Sequence, residues 1–160
     1  MSETPSEVFR RVLGHLPTGV TVVTGFGPHG PAGMAANSVT SVSLDPPLIL
    51  FCPAKSSATW PEIRGHGRFC VNVMAGHHEA AVRQFSQKGV DRFEGVNWTH
   101  RPAGPALADA LAWIECEIRD EHDAGDHTIV VGHVACLDAA KAGNPLVFFQ
   151  GRYGRFASDL

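Results

Sequence analysis

Thr24-Gly25-Phe26-Gly27-Pro28-His29-Gly30-Pro31-Ala32-Gly33 is the stretch on which the fold turns. Gly25, Gly27 and Gly30 keep the G-x-G-x-x-G spacing and follow an apolar run, Val20-Thr21-Val22-Val23. In a dinucleotide-binding βαβ unit those glycines open a helix whose N-terminus receives a pyrophosphate, and an acidic residue about 20 positions on holds the ribose. This sequence does not continue that way. Pro28 lies inside the motif and Pro31 just after it, and seven residues separate Gly30 from the β-branched run Ser38–Leu44. A crossover helix needs a longer connection. Where the acid is due, the chain reads Leu50-Phe51-Cys52-Pro53. The stretch is therefore a Gly/Pro turn between two antiparallel strands.

Strands dominate on either side of this turn. Apolar and β-branched runs predict strands over 20–26, 32–37, 38–44 and 48–52, the last two parted by Asp45-Pro46-Pro47. Further strands are expected at 68–74, 112–119, 127–137 and 145–150, followed by a tail, 151–156. In 112–119 apolar residues alternate with mostly charged ones, as in a strand with one buried face. Three short helices fit between them. Ser6–Leu16 places Val8, Phe9, Val12, Leu13 and Leu16 on one face. Ser56 or Ser57 can cap a helix running toward Gly65 with Pro61 in its first turns. His77–Ser86 forms the third. Many short strands, Gly/Pro turns and few helices predict a mainly β, antiparallel barrel with short helices.

The chain has 160 residues, 44% of them hydrophobic, which suits one globular domain with a core over about 9–156. Thirteen basic against sixteen acidic residues give a net charge of −3, so no broad basic field attracts nucleic acid or an anionic membrane. No apolar run approaches the ~20 residues of a membrane span, and the first residues lack the pattern of a signal peptide. Cys52, Cys70, Cys116 and Cys136 each sit in an apolar run without CxxC spacing. Buried free thiols in a cytoplasmic protein are the expectation.

Two polar stretches carry the chemistry. Asn37-Ser38-Val39-Thr40-Ser41 offers amides and hydroxyls without charge. Such groups suit a flat heterocycle edged with carbonyls and ring nitrogens, and equally the solvated face of a strand. Lys55-Ser56-Ser57-Ala58-Thr59 combines a cation, three hydroxyls and a helix start. It reads either as an anion pocket, most simply for phosphate, or as an ordinary helix cap. Only strand 48–52 and a short turn part the two, so one ligand bearing both a heterocycle and a phosphate can serve them together.

The run GMAANSVTSVSLDPPLILFCPAKSSATWPEI (33–63), with FCVNVM (69–74), AVRQFS (81–86), DRF (91–93), GDHTIVVGHV (125–134) and GRYGRF (151–156), resembles the short-chain flavin reductases. These are the reductase partners of two-component flavin-dependent monooxygenases, and the likeness runs in order from about Phe9 to Phe156. It implies an FMN-binding split β-barrel of antiparallel, Greek-key type, usually a homodimer with flavin near the subunit interface. It also implies NAD(P)H:flavin oxidoreductase activity: NADH or NADPH reduces FMN or FAD, and the product passes to a separate monooxygenase. Carried over by position, Asn37, Ser38, Val39, Thr40 and Ser41 line the isoalloxazine, and Lys55, Ser56, Ser57 and Thr59 hold the phosphate. Phe85 and Phe93 wall the flavin or the nicotinamide. His127 faces the nicotinamide or the reacting flavin edge, and Tyr153 closes over the nicotinamide.

Two rivals share the fold. A pyridoxamine-phosphate-oxidase-like flavoenzyme requires a second basic phosphate site, and basic residues here are sparse. A non-catalytic flavin- or haem-binding module would not consume NADH. Asp120, Glu121, His122, Asp123, Asp126 and His127 suggest a metal cluster, but no HExxH is present, and charges at a hairpin tip are ordinarily solvated. No metal site is expected.

Overall fold

The computed structural model describes residues 2–157; Met1 and residues 158–160 lie outside the described residues. In chain order the elements are α1 (Pro5–Leu13), β1 (Thr18–Gly19), β2 (Thr21–Gly27), β3 (Gly30–Ala36), β4 (Thr40–Leu44), β5 (Pro47–Phe51), α2 (Trp60–His66) and β6 (Arg68–Val73). A 3₁₀ turn (Gly76–His78) leads into α3 (Glu79–Phe85), and then come β7 (Trp98–Thr99), β8 (Ala106–Leu107), β9 (Ala112–Ala124), β10 (His127–Ala139), β11 (Leu146–Phe149) and β12 (Arg152–Arg155). β2 and β3 are antiparallel and Gly27 pairs with Gly30, so Pro28-His29 form a two-residue turn as the sequence predicts. Gly30, the residue that follows the turn, has a positive φ, which glycine adopts without steric cost. Gly25 answers a different need: a Cβ there would lie 2.7 Å from the Ile63 side chain on α2.

Seven strands form one sheet in the order β3-β2-β6-β9-β10-β5-β4. β5 returns to pair with β10 although β6 and β9 intervene in the chain, which is Greek-key order. β3 and β4 occupy opposite edges, yet only residues 37–39 connect them. Six inter-strand steps of about 4.8 Å would part the edges of a flat sheet by about 29 Å. Four Cα steps of about 3.8 Å cover at most about 15 Å. The sheet must roll up, leaving a barrel closed at this seam by the chain rather than by a ladder. That is the split barrel implied by the resemblance.

β2 is buried on both faces. Val23 joins Phe51, Trp60, Ile63, Phe69, Val71 and Val130 inside the barrel, where α2 plugs the core. Val22 faces the other way, with Met74, Val82, Phe85, Leu107 and Leu146. A small second sheet, β1-β11-β12, adjoins this outer core.

The structure departs from the sequence reading at several points. The tail 151–156 is not loose: Gln150 and Gly151, both at positive φ, fold it back as β12 against β11. β9 and β10 each run thirteen residues, so Asp120–Asp123 lengthen a strand instead of capping it. Asp120, His122 and Asp123 stay exposed on the strand, and Glu121 pairs with Arg64 and Asp123 with Lys55. Cys70 and Cys116 are buried, and burial raises both thiols to about 12. Contrary to expectation Cys52 is only half-buried and Cys136 is exposed, the latter within the exposed last residues of β10. No helix among the described residues is long and apolar enough to cross a membrane.

Candidate functional site

Asn37, Ser38 and Val39 bridge the seam between β3 and β4, half-buried, while Thr40 and Ser41 begin β4 and are exposed. Ser38 Oγ accepts from the Cys52 N–H at 2.9 Å, which pins the seam to the end of β5. There the chain enters the loop 53–59. Three backbone contacts fasten this loop to the start of β10. The Lys55 N–H donates to the Asp126 carbonyl at 2.9 Å, the Thr128 N–H donates to the Pro53 carbonyl at 3.0 Å, and Ala54 bridges to His127. Residues 37–41, 55–59 and 127 thus become neighbours.

Thr59, not Ser56 or Ser57, stands at the N-cap of α2 and makes no side-chain cap bond, and the hydroxyl that meets the helix start is that of Ser57. Its Oγ accepts from the Thr59 N–H at 3.3 Å and the Trp60 N–H at 3.1 Å. These donors are spent on Ser57 and α2 has only seven residues, so the helix start offers less to an anion than its sequence suggests. The hydroxyls and cations carry the electrostatics instead. Lys55 Nζ pairs with the Asp123 carboxylate, with the two side chains 45% and 80% exposed. An ion pair that open is worth at most about 1 kcal/mol and exchanges readily for another anion.

Sequence reasoning missed a second cation. Arg92 Nη1 donates to the Gly33 carbonyl at 3.0 Å and to Thr59 Oγ1 at 2.9 Å, and its Nε donates to the Gln87 carbonyl at 2.8 Å. Burial lowers its pKa from the ordinary arginine value. The signal lies in Asp91-Arg92-Phe93, where a charge stands directly beside the aromatic ring. A cleft of about 650 Å³ opens here between β3, the loop and segment 85–93. Ser56, Ser57, Thr59, Arg92 and Phe93 line it. Phe85 has no accessible surface and backs Phe93 edge-on, with ring centroids 5.0 Å apart.

His127 is half exposed. Its Nδ1 lies 2.7 Å from Asp126 Oδ1, which leaves Nε2 as the outward nitrogen. This hydrogen bond holds the Asp126 carboxyl below its usual range. Tyr153 lies elsewhere. It packs on Phe148 with centroids 5.2 Å apart, the Arg83 guanidinium sits 4.9 Å above its ring, and it lines a separate depression with Pro17 and Phe149.

A rolled, split antiparallel sheet thus carries an uncharged amide-hydroxyl seam, and a loop of hydroxyls and cations stands beside it. That donor set fits a heterocycle bearing a phosphate. The family profile of the flavin reductase like domain matches residues 13–157, and the chain belongs to that family. It is 42% identical over 152 residues to the reductase subunit HsaB of a flavin-dependent monooxygenase from Rhodococcus jostii (strain RHA1), covering 94% of this chain and 78% of that one. It is 44% identical over 154 residues to the FMN reductase (NADH) SmoA of Agrobacterium fabrum (strain C58 / ATCC 33970), covering 95% and 87%. The fold superposes with a TM-score of 0.92 on the NADH:FAD oxidoreductase SgcE6 of Streptomyces globisporus C-1027, solved with NAD and FAD fragments. That pair is 40% identical over 99% of each chain.

Proposed function

We propose that the chain passes a hydride from reduced nicotinamide to FMN or FAD and supplies the reduced flavin to a separate flavin-dependent monooxygenase. One observation carries this reading: three backbone contacts clamp the loop 53–59 to His127 beside the uncharged seam 37–41. Flavin, when bound, supplies the electron-accepting ring. Asn37 to Ser41 meet its polar edge with amides, hydroxyls and backbone groups. Lys55, Ser56, Ser57 and Thr59, with Arg92, hold its phosphate, and Phe93 walls the ligand. His127 Nε2 orients the nicotinamide carboxamide. Hydride transfer removes no proton from carbon, so the site needs no strong base. NADH or NADPH oxidation followed with and without FMN, FAD or riboflavin tests the reading. Flavin binding with no nicotinamide consumption would favour a non-catalytic module or an oxidase-type relative.

Lys55→Ala should weaken FMN about 10-fold and riboflavin less than twofold, in keeping with the loss of one charge-assisted contact of roughly 1.5 kcal/mol. Titration by flavin fluorescence reads both. Equal weakening of the two ligands would remove Lys55 from phosphate binding.

The same reading takes residues 1–160 as one domain, supported by β2, which serves both cores. It places the protein in the cytoplasm, in keeping with four free cysteines. It also takes the active species as a homodimer. α1 is capped by Thr4 and Glu7, but it buries none of its residues, and Phe9 is 65% exposed. A nine-residue helix is marginal in water unless its apolar face is covered. The exposed start of β4 likewise needs a cover to exclude water from a bound ring. Phe9→Asp should give a monomer in sedimentation velocity and lose most NADH-dependent flavin reduction. A variant that stays dimeric would take α1 out of the interface.

A further inference from the structure

Lys55 does not stand where a phosphate-binding cation would. Of residues 54–59, Lys55 alone does not line the cleft beside the loop. Its Nζ pairs instead with the Asp123 carboxylate of β9. We infer that Asp123 is a built-in rival to the flavin phosphate: it draws Lys55 away from the ligand, weakens the hold on the phosphate and so keeps the flavin exchangeable. Asp123 acts through Lys55 and is therefore a positioning residue. The inference rests on the proposed assignment of the loop to the phosphate.

The strands fix this competition in place. Asp123 lies opposite Thr128 across the hairpin, and the Thr128 N–H donates to the Pro53 carbonyl at 3.0 Å. The Lys55 N–H donates to the carbonyl of Asp126, the residue before β10 starts, at 2.9 Å. Both backbones are thus held at one end of the hairpin. The Lys55 side chain keeps its freedom, because a flexible four-carbon stem carries its point charge from one acceptor to another.

The neighbouring charges are already engaged. Arg64 Nε lies 2.9 Å from both carboxylate oxygens of Glu121, and Asp126 Oδ1 lies 2.7 Å from His127 Nδ1. Among the described residues Asp123 is the one carboxylate paired with Lys55. A phosphate that captures Lys55 leaves the Asp123 carboxylate unpaired. The lost pair is open to solvent, so the penalty is modest, and it falls only on a ligand that carries charge. A modest penalty suits the proposed activity. Reduced flavin bound for a separate monooxygenase has to leave, and differences in affinity among related complexes lie mostly in the rate of departure.

The test titrates FMN and riboflavin into the wild type, Asp123→Asn, Lys55→Ala and the double variant, with circular dichroism confirming the fold. Asp123→Asn should tighten FMN about 5-fold, equivalent to ~1 kcal/mol, and shift riboflavin less than twofold. Stopped-flow displacement should show the gain as slower FMN dissociation. In the Lys55→Ala background the same substitution should lose most of its effect, since no cation remains to be released. Asp120→Asn removes the same charge from the same strand and should shift FMN less than twofold. FMN binding that is unchanged or weaker in Asp123→Asn would overturn the inference. So would an equal gain with and without Lys55, or an equal gain from Asp120→Asn, either of which would reduce Asp123 to one more surface charge. Failure of the underlying reading looks different: Lys55→Ala alone would then leave FMN affinity untouched, or weaken FMN and riboflavin alike.

Discussion

Replacing His127 with alanine should slow NADH-driven flavin reduction about 10- to 100-fold, an increase of ~1.4–2.7 kcal/mol in the barrier, while flavin affinity changes less than twofold. The geometry separates these two effects. The backbone of His127 helps to anchor the loop 53–59, and alanine preserves the bridge to Ala54. The imidazole itself makes one hydrogen bond, from Nδ1 to Asp126, and presents Nε2 outward. On the proposed reading, alanine therefore deletes the group assigned to the nicotinamide and leaves the loop 53–59 in place. If the ring only positions the nicotinamide before reaction, the KM for NADH rises. If its contact strengthens as the hydride moves, kcat and kcat/KM fall together. Stopped-flow reduction at several NADH concentrations, paired with a flavin titration, distinguishes the two cases. A wild-type reduction rate would leave His127 as an ordinary residue of a strand start, whose loss changes stability by about 1 kcal/mol or less.

Much of the fold and the site is legible in local chemistry alone. The turn at Pro28-His29 follows from the prolines and from the lack of room for a helix. The alternation in 112–119 marks a strand, though not one that continues through Asp120-Glu121-His122-Asp123, because nothing nearby in the sequence announces Arg64 and Lys55 as their partners. Residue types also mark the seam and the loop. They cannot show that β3 and β4 stand at opposite edges of one sheet, which makes the three residues between them a seam and not a turn. Nor can they show which acceptor each donor finds. Ser57 Oγ takes the N–H groups expected to face an anion, and Arg92 reaches Thr59 from 33 positions away. Tyr153 and His127 share an expected ligand but line different surfaces of one chain. A second copy that brought its Tyr153 to the His127 of the first would reconcile them, and the Phe9→Asp variant bears on this directly.

The largest loss of stability should come from a residue outside the site. Asn72 on β6 is fully buried. Its Nδ2 donates to the Val22 carbonyl and Thr24 Oγ1, both at 3.1 Å, and lies 3.3 Å from the Pro105 carbonyl; its Oδ1 accepts from the Leu107 N–H at 2.8 Å. Thr24 Oγ1 in turn donates to the Pro105 carbonyl at 2.6 Å. One amide thus joins two barrel strands to the segment that carries β8. Asn72→Ala leaves the Leu107 N–H without a partner, removes the donors from two acceptors and opens a small cavity. Each buried group left unsatisfied costs about 1–3 kcal/mol, so a total of about 3–4 kcal/mol is expected. For a chain of this size that lowers Tm by roughly 6–15 °C. The effect should also reach the cleft. Leu107 pairs with Trp98, whose ring lies 6.2 Å from that of Phe93. Amide exchange at Leu107 and at residues 91–98 should therefore quicken more than exchange in β10, whose ladder partners are β9 and β5. Unfolding in urea measures the first effect and hydrogen exchange the second. If Asn72→Ala were as stable as the wild type, with exchange unchanged at Leu107, the segment would be held by its apolar contacts alone and the amide would contribute nothing to fixing the cleft wall.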